Sequence, residues 1–362
     1  MSSVFLQNVN RTHYKRNCLL KYITLPFHSP PLYHRHQNMW QVPEIARIIG
    51  HYDYNVDVIN YDDQQTKLGK KYELLIDIYP QNNKVYQNNL ASNCIKVLYS
   101  TGAGPDWQNT QQRARVSALN ARRHARLRPK SIVQPFGPEI ASFDAMFLIG
   151  NEFTRSTYDN LPINKIYMIK NSAYLFPACE LNKKTPNTFL YMATYPQALK
   201  GLDLLLEVFG RNQNISLVIA GQYEAEKDFC AIYSRELYQC PNILPVGVID
   251  VTSNLFEKIR QIASFFVLPS CSEGMSGSVL TAMSAGLIPI VSRACGFSDD
   301  EVFHFQDCSI NCIKDTLTAF AKKPLNWVKK ESLQAVETVH SRYTPNHFSQ
   351  SFYTALQGLL GG

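Results

Sequence analysis

A chain of 362 residues with 45% hydrophobic and 12% aromatic side chains has enough apolar material for two domains with separate cores, and too much to stay disordered. Its apolar runs fall short of the ~20 residues that cross a bilayer. The N-terminus lacks a signal-type apolar block ending in small residues, so the expectation is a cytoplasmic protein. The net charge of +7 is concentrated: Arg113, Arg115, Arg122, Arg123, Arg126, Arg128 and Lys130 fall in a stretch with no acidic residue between Asp106 and Glu139. Such a block suits an anionic membrane at the inner face, a phosphorylated acceptor or plain solvent. It lacks the interleaved aromatics of a nucleic-acid site, so no nucleic-acid partner is expected. The nine cysteines form no Cys-x-x-Cys pair and no metal-ligand spacing, which reads as inert thiols without a metal.

In chain order, strand-like apolar runs fall at residues 19–27, 55–60, 74–79, 95–100, 145–149 and 165–169, with helical stretches at 40–49 and 110–126. Residues 170–187 hold turn formers and little periodicity, which reads as a linker. Strands then recur at 188–193, 216–220, 243–246, 265–268 and 287–291. Helices are expected at 200–209, 225–237, 254–262 and 278–285. This alternation predicts an α/β protein of two doubly wound, Rossmann-like domains whose strand C-termini face a shared cleft. The boundaries expected are 1–172, 173–340 and a tail, 341–362, in which Phe348, Phe352, Leu356 and Leu359 form one helical stripe.

The stretch 265–291, FFVLPSCSEGMSGSVLTAMSAGLIPIV, carries the clearest chemistry. Between its two strands a single carboxylate, Glu273, precedes Gly274, Ser276, Gly277 and Ser278 where a helix should begin. Small residues at a helix N-terminus let backbone N–H groups approach a diphosphate, and a carboxylate beside them suits sugar hydroxyls better than phosphates. A strand-to-helix turn merely capped by Ser and Gly is the plain alternative. Lys200, at the opening of a helix, could neutralise a departing diphosphate. Gly221 and the pair Gly247-Val248 end further strands where backbone could pass under a nucleotide. A dinucleotide oxidoreductase is disfavoured, since no Gly-x-Gly-x-x-Gly follows the first strand of either half.

Lys200-Gly201-x-Asp203-x-Leu205-Leu206, Gly221, Val246-Gly247-x-Ile249, Leu268-Pro269-Ser270, Glu273-Gly274 and Ala282-Met283-x-Ala285-Gly286-x-x-Pro289-Ile290 follow in that order. Together they resemble the nucleotide-binding domain of GT-B glycosyltransferases of the large retaining group 1, or family four, type. The resemblance covers residues of roughly 188–300. It implies a metal-independent enzyme without a cofactor, which moves a sugar with retention from a nucleotide-sugar to a carbohydrate or lipid-linked acceptor. Surface polysaccharide or glycoconjugate synthesis is the setting it suggests. It further implies that Glu273 contacts the donor sugar and Lys200 the phosphate. Gly274, Met275, Ser276, Gly277, Ser278, Thr281, Gly221, Gly247 and Val248 make up the implied donor site, and the last helix crosses back to the first domain.

Three positions depart from the family pattern. Thr281 stands where a second glutamate would bind the ribose. Tyr195 or Thr194 stands where an arginine would share the diphosphate with Lys200. The loop Thr101-Gly102-Ala103-Gly104-Pro105-Asp106 lacks a histidine facing the donor. A catalytically weak relative that only binds nucleotide or glycan therefore stays open. In the first half, His36, Asn38, Thr101, Gly102 and Asp106 are the candidates for sugar or acceptor contacts, with a structural His36 and a helix-capping Asp106 as alternatives. Asn171-Ser172 resembles the family's Asn-Gly hinge.

Overall fold

The computed structural model describes residues 5–28 and 34–361. The first domain is built from β1 (Phe5–Leu6), β2 (Arg16–Tyr22), α1 (Asn38–Gly50), β3 (Tyr54–Asn60), β4 (Tyr72–Asp77), β5 (Leu90–Ser100), α2 (Pro105–Arg123), β6 (Ala145–Ile149), α3 (Glu152–Ser156) and β7 (Ile166–Ile169). Its strands lie in the order β1-β3-β2-β4-β5-β6-β7, parallel except for the edge strand β1.

The second domain contains β8 (Thr185–Ala193), α4 (Gln197–Lys200), α5 (Leu202–Phe209), β9 (Ser216–Gly221), α6 (Lys227–Ile232), α7 (Ser234–Gln239), β10 (Ile243–Gly247), α8 (Asn254–Ile262), β11 (Ala263–Leu268), α9 (Gly277–Ser284), β12 (Ile288–Val291), β13 (Phe303–His304), α10 (Ile310–Ala321) and α11 (Leu325–Arg342). Its parallel sheet runs β10-β9-β8-β11-β12-β13. Strand β11 is buried along its whole length, as a central parallel strand covered on both faces must be. The last helix, α12 (Pro345–Leu360), returns to pack on α1 and β7 of the first domain. Phe348 meets Trp40 edge-on at 5.6 Å, and Phe352 meets Tyr99 and Phe147 at 5.9 and 5.3 Å.

Several expectations shift. The first strand stops at Tyr22 instead of residue 27, and a 3-10 turn at Leu25–Phe27 follows, where Pro26 has no N–H for a ladder. The helix expected from residue 110 begins at Pro105, a residue preset for the first turn, and ends at Arg123 with His124 left-handed. The helix expected over 225–237 is two short ones, broken at Tyr233. The expected linker already enters β8 at Thr185. Just before it, the buried Lys184 ammonium donates to the carbonyls of Arg260, Ala263 and Gly286, each at 2.8 Å. Residues 341–342 close α11, and the tail helix starts at Pro345 behind a Thr344 capping box.

Candidate active site

Lys200 and Glu273 converge in the cleft between the two domains. Lys200 ends α4, and Gly201 turns the chain at φ +82°, where any Cβ would meet the Pro269 carbonyl at 2.4 Å. That close approach brings the lysine against the loop after β11, and its Nζ lies 2.5 Å from Glu273 Oε1. Ser270 Oγ donates to the same carboxylate oxygen at 2.8 Å and fixes its direction. Helix α9 starts next to this pair, and Ser276 at its N-cap makes no side-chain capping bond. Donors of the first turn therefore lack that usual partner. Thr281 Oγ1 donates back to the Gly277 carbonyl at 2.9 Å, which commits its proton and leaves only lone pairs for a ligand.

The cleft has a volume of about 700 Å³ and takes walls from both domains. Of the residues singled out by sequence, Lys200, Glu273, Met275, Ser276, Gly277, Ser278, Thr281, Gly221, Val248, His36 and Thr101 line it. Gly274, Gly247, Asn38, Gly102 and Asp106 do not. Gly274 instead marks where the domains touch: a Cβ there would meet the carbonyls of Thr101 and Ile149 at 2.4 and 2.8 Å. Gly247 sits behind the exposed Val248 with φ +72°. The Gly102 carbonyl accepts from Tyr158 at 2.7 Å. Asp106 is exposed in the first turn of α2, where a carboxylate favours the helix dipole. Asn38 opens α1, and its backbone N–H donates to His36 Nδ1 at 3.2 Å. That bond leaves Nε2 as the donor of a neutral imidazole. His36 is wet yet hemmed in by the cleft walls; this confinement, together with the Lys200 charge, holds its imidazole below the ordinary value.

Arg35, Gln37 and Gln41 also line the cleft, as expected of the stretch 26–41 that follows the first long strand, whereas sequence reasoning missed Tyr22 and saw Asn171 only as part of a hinge. Tyr22 ends β2 at the crevice, a position that the strand expected over 19–27 hides inside its run. Burial pushes its phenol up to about 12, against hydrogen bonds from Asn38 and Thr101. Gln37 Nε2 donates to the Gly277 carbonyl at 3.1 Å, across the cleft. Asn171 accepts from Gln41 at 2.9 Å and donates to the Met275 carbonyl at 3.0 Å, tying the resembled hinge to the loop before α9.

The basic block has a destination inside the molecule. Arg122 donates to Asp203 at 2.7 Å and to Glu207 at 3.0 Å, while Arg123 donates to Glu236 at 2.7 Å. Arg115 donates to the Pro269 carbonyl at 3.1 Å, and Lys130 pairs with Glu226 at 3.7 Å and with Asp228. Asp203, Glu207, Glu226 and Glu236 are all buried. Burial pushes the Asp203 carboxyl up, and Arg115 and Arg122 pull it back. Arg113, Arg126 and Arg128 stay exposed. Among the described residues no helix is long and apolar enough to cross a membrane, and no cluster of His, Cys, Asp and Glu has the makings of a metal site.

Residues 177–334 match the family model of glycosyl transferases group 1. The match covers the second domain, and the two parallel sheets give the whole chain the GT-B fold of its structural neighbours. Among solved structures it is similar to sucrose-phosphate synthase from Thermosynechococcus elongatus at TM-score 0.67 and 12% identity, over 96% of this chain and 100% of that one. WaaG, a glycosyltransferase involved in lipopolysaccharide biosynthesis, aligns at TM-score 0.56 and 13% identity, over 95% of this chain and 100% of WaaG. TarM aligns at TM-score 0.55 and 12% identity over 80% of this chain, which spans only 54% of TarM. At such identities the likeness concerns the fold. No curated protein matches the chain in sequence.

Proposed function

We propose that the protein transfers a sugar from a nucleoside-diphosphate donor to a carbohydrate or lipid-linked acceptor, with retention at the anomeric carbon. The observation that carries this reading is the meeting of Lys200 and Glu273 at 2.5 Å beside the start of α9, in a cleft walled by both domains. An ammonium and a helix N-terminus suit a diphosphate, while an oriented carboxylate suits the hydroxyls of the attached sugar. In the proposed step the bond from C1 to the phosphate oxygen breaks as the acceptor oxygen bonds to C1 on the same face. The acceptor proton passes to an oxygen of the leaving diphosphate. Lys200 and the α9 donors stabilise the charge that develops there, so no metal is required in this scheme.

Structural neighbours support the substrate class. Anabaena HepE, similar at TM-score 0.57 and 10% identity, was solved with UDP and glucose. WaaG is involved in lipopolysaccharide biosynthesis, and surface glycoconjugate synthesis is the setting we propose for the present chain. Exposed Arg113, Arg126 and Arg128 remain available for an anionic membrane surface at the inner face. Incubation with UDP-, GDP- and ADP-sugars should release the matching nucleoside diphosphate, and Glu273→Ala should abolish release without lowering the melting temperature by more than a few degrees. Nucleotide binding without any turnover would favour the binding-only relative, for which Thr281 and Thr194 speak. No nucleotide binding at all would sink both.

A further inference from the structure

The cleft has one phosphate-seeking cation on the second domain, Lys200, and the position that would supply its companion holds Thr194 or Tyr195. Thr194 lines the cleft without charge. Tyr195 turns outward, where it is 41% exposed and its hydroxyl donates to the Lys130 carbonyl at 3.3 Å. A diphosphate carries more negative charge than one ammonium balances, so a second cation should come from elsewhere.

The opposite wall offers one. Arg35 lines the same cleft as Lys200 and Thr194 and has no ion pair or hydrogen bond among the described residues. Its charge is felt by Asp250 in the loop after β10, but at longer range than an ion pair. The arginines that face the second domain from α2 are all engaged, on Asp203, Glu207, Glu236 and the Pro269 carbonyl. Arg35 is also held in place by its neighbours. His34 Nε2 lies 3.6 Å from Asp250, and Gln37 Nε2 donates to Gly277 at the start of α9. The segment is thus pinned at both ends to the second domain, with Arg35 between the loop after β10 and the α9 N-terminus.

We infer that Arg35 is the second diphosphate-binding cation, supplied across the cleft by the first domain in place of the absent arginine near residue 194. This rests on the proposed nucleoside-diphosphate reading and adds that diphosphate recognition requires both domains together. A guanidinium can bind a diphosphate bidentately, an arrangement an ammonium cannot reproduce.

The test is calorimetric titration with whichever of UDP, GDP and ADP binds the wild type tightest, with the matching nucleoside as control. Arg35→Ala should weaken the nucleoside diphosphate by roughly 10- to 100-fold and leave the nucleoside unchanged. Adding Thr194→Arg to Arg35→Ala should restore at least about tenfold, because the cation then returns from the other wall. Equal affinity of Arg35→Ala and wild type for the diphosphate overturns the inference while leaving the proposed function standing. Parallel losses for diphosphate and nucleoside also overturn it, since they mean a folding or base-side effect. A wild type that binds none of the three removes the underlying reading itself.

Discussion

Arg122 of α2 and Asp203 of α5 form a 2.7 Å ion pair that joins the first domain to the second, and the Asp203 carboxylate is fully buried. Arg122 also holds Glu207, and Arg123 lies 4.4 Å over the Tyr233 ring. Salt bridges on open surface contribute little, but a carboxylate buried behind its partner cannot regain solvent when that partner is removed. The two domains are therefore coupled through the charges of Arg122 and Arg123 on the buried carboxylates of the second domain, whereas Lys200 and Glu273 pair within the second domain.

Arg122→Met should destabilise the protein by about 3 kcal/mol, because Asp203 keeps only Arg115, at 3.8 Å, as a counter-charge. Asp203→Asn added to it should recover a large part, since the stranded charge is gone. Urea denaturation of both variants measures this. Equal midpoints for wild type and Arg122→Met would mean that the pair contributes nothing.

Gly274→Ala should push the domains apart. Its Cβ would meet two backbone carbonyls of the first domain, Thr101 at 2.4 Å and Ile149 at 2.8 Å, and backbone cannot step aside as a side-chain tip can. Sugar transfer should fall by at least about tenfold, with stability lowered by about 1–3 kcal/mol. Gly102→Ala is the control, because its Cβ meets nothing within 4 Å and should change neither. Similar behaviour of the two variants would refute the contact.

The stretch from Phe265 to Val291 was legible because local signals agree there: two buried strands, a polar loop with one carboxylate and a small-residue helix start. The architecture followed from strand–helix alternation. The role of the basic block was not legible, because Arg122 and Asp203 are 81 positions apart and a sequence shows a charge run without showing what faces it. Tyr22 escaped notice for a related reason. A phenol inside the strand expected over 19–27 reads as core, whereas the strand ends at Tyr22 and the residue lines the cleft beside Asn38 and Thr101. Asp106 attracted interest as a carboxylate in a cleft-side loop, but Pro105 extends α2 backward and draws it into the first helical turn.

His36 should give the empty protein an acid-sensitive increment of stability. Its folded-state value lies below the 6.5 of the unfolded chain, so on acidification the unfolded chain takes up this proton first. Stability attributable to His36 is thus present at neutral pH and lost as pH falls through 6.5 toward the lower folded value. The melting temperature of wild type minus that of His36→Gln should decrease between about pH 7.5 and about pH 5.5. A saturating nucleoside diphosphate, placing negative charge near Lys200 and His36, should shrink or reverse the decrease. A difference independent of pH would show that the imidazole does not titrate as described.

Thr281→Glu should tighten nucleotide binding. The native hydroxyl spends its proton on the Gly277 carbonyl at 2.9 Å and is left as a neutral acceptor, one turn into α9 and beside the cleft. A carboxylate at that point would accept from two ribose hydroxyls with charge assistance, roughly twice as strongly per bond. Affinity for the ribonucleoside diphosphate should rise by about 3- to 10-fold. The gain should vanish with the 2′,3′-dideoxy analogue, which has no hydroxyls to donate. That dependence separates ribose recognition from a general change in the cleft: a gain retained with the dideoxy compound, or a loss with the ribonucleotide, would move the ribose away from Thr281.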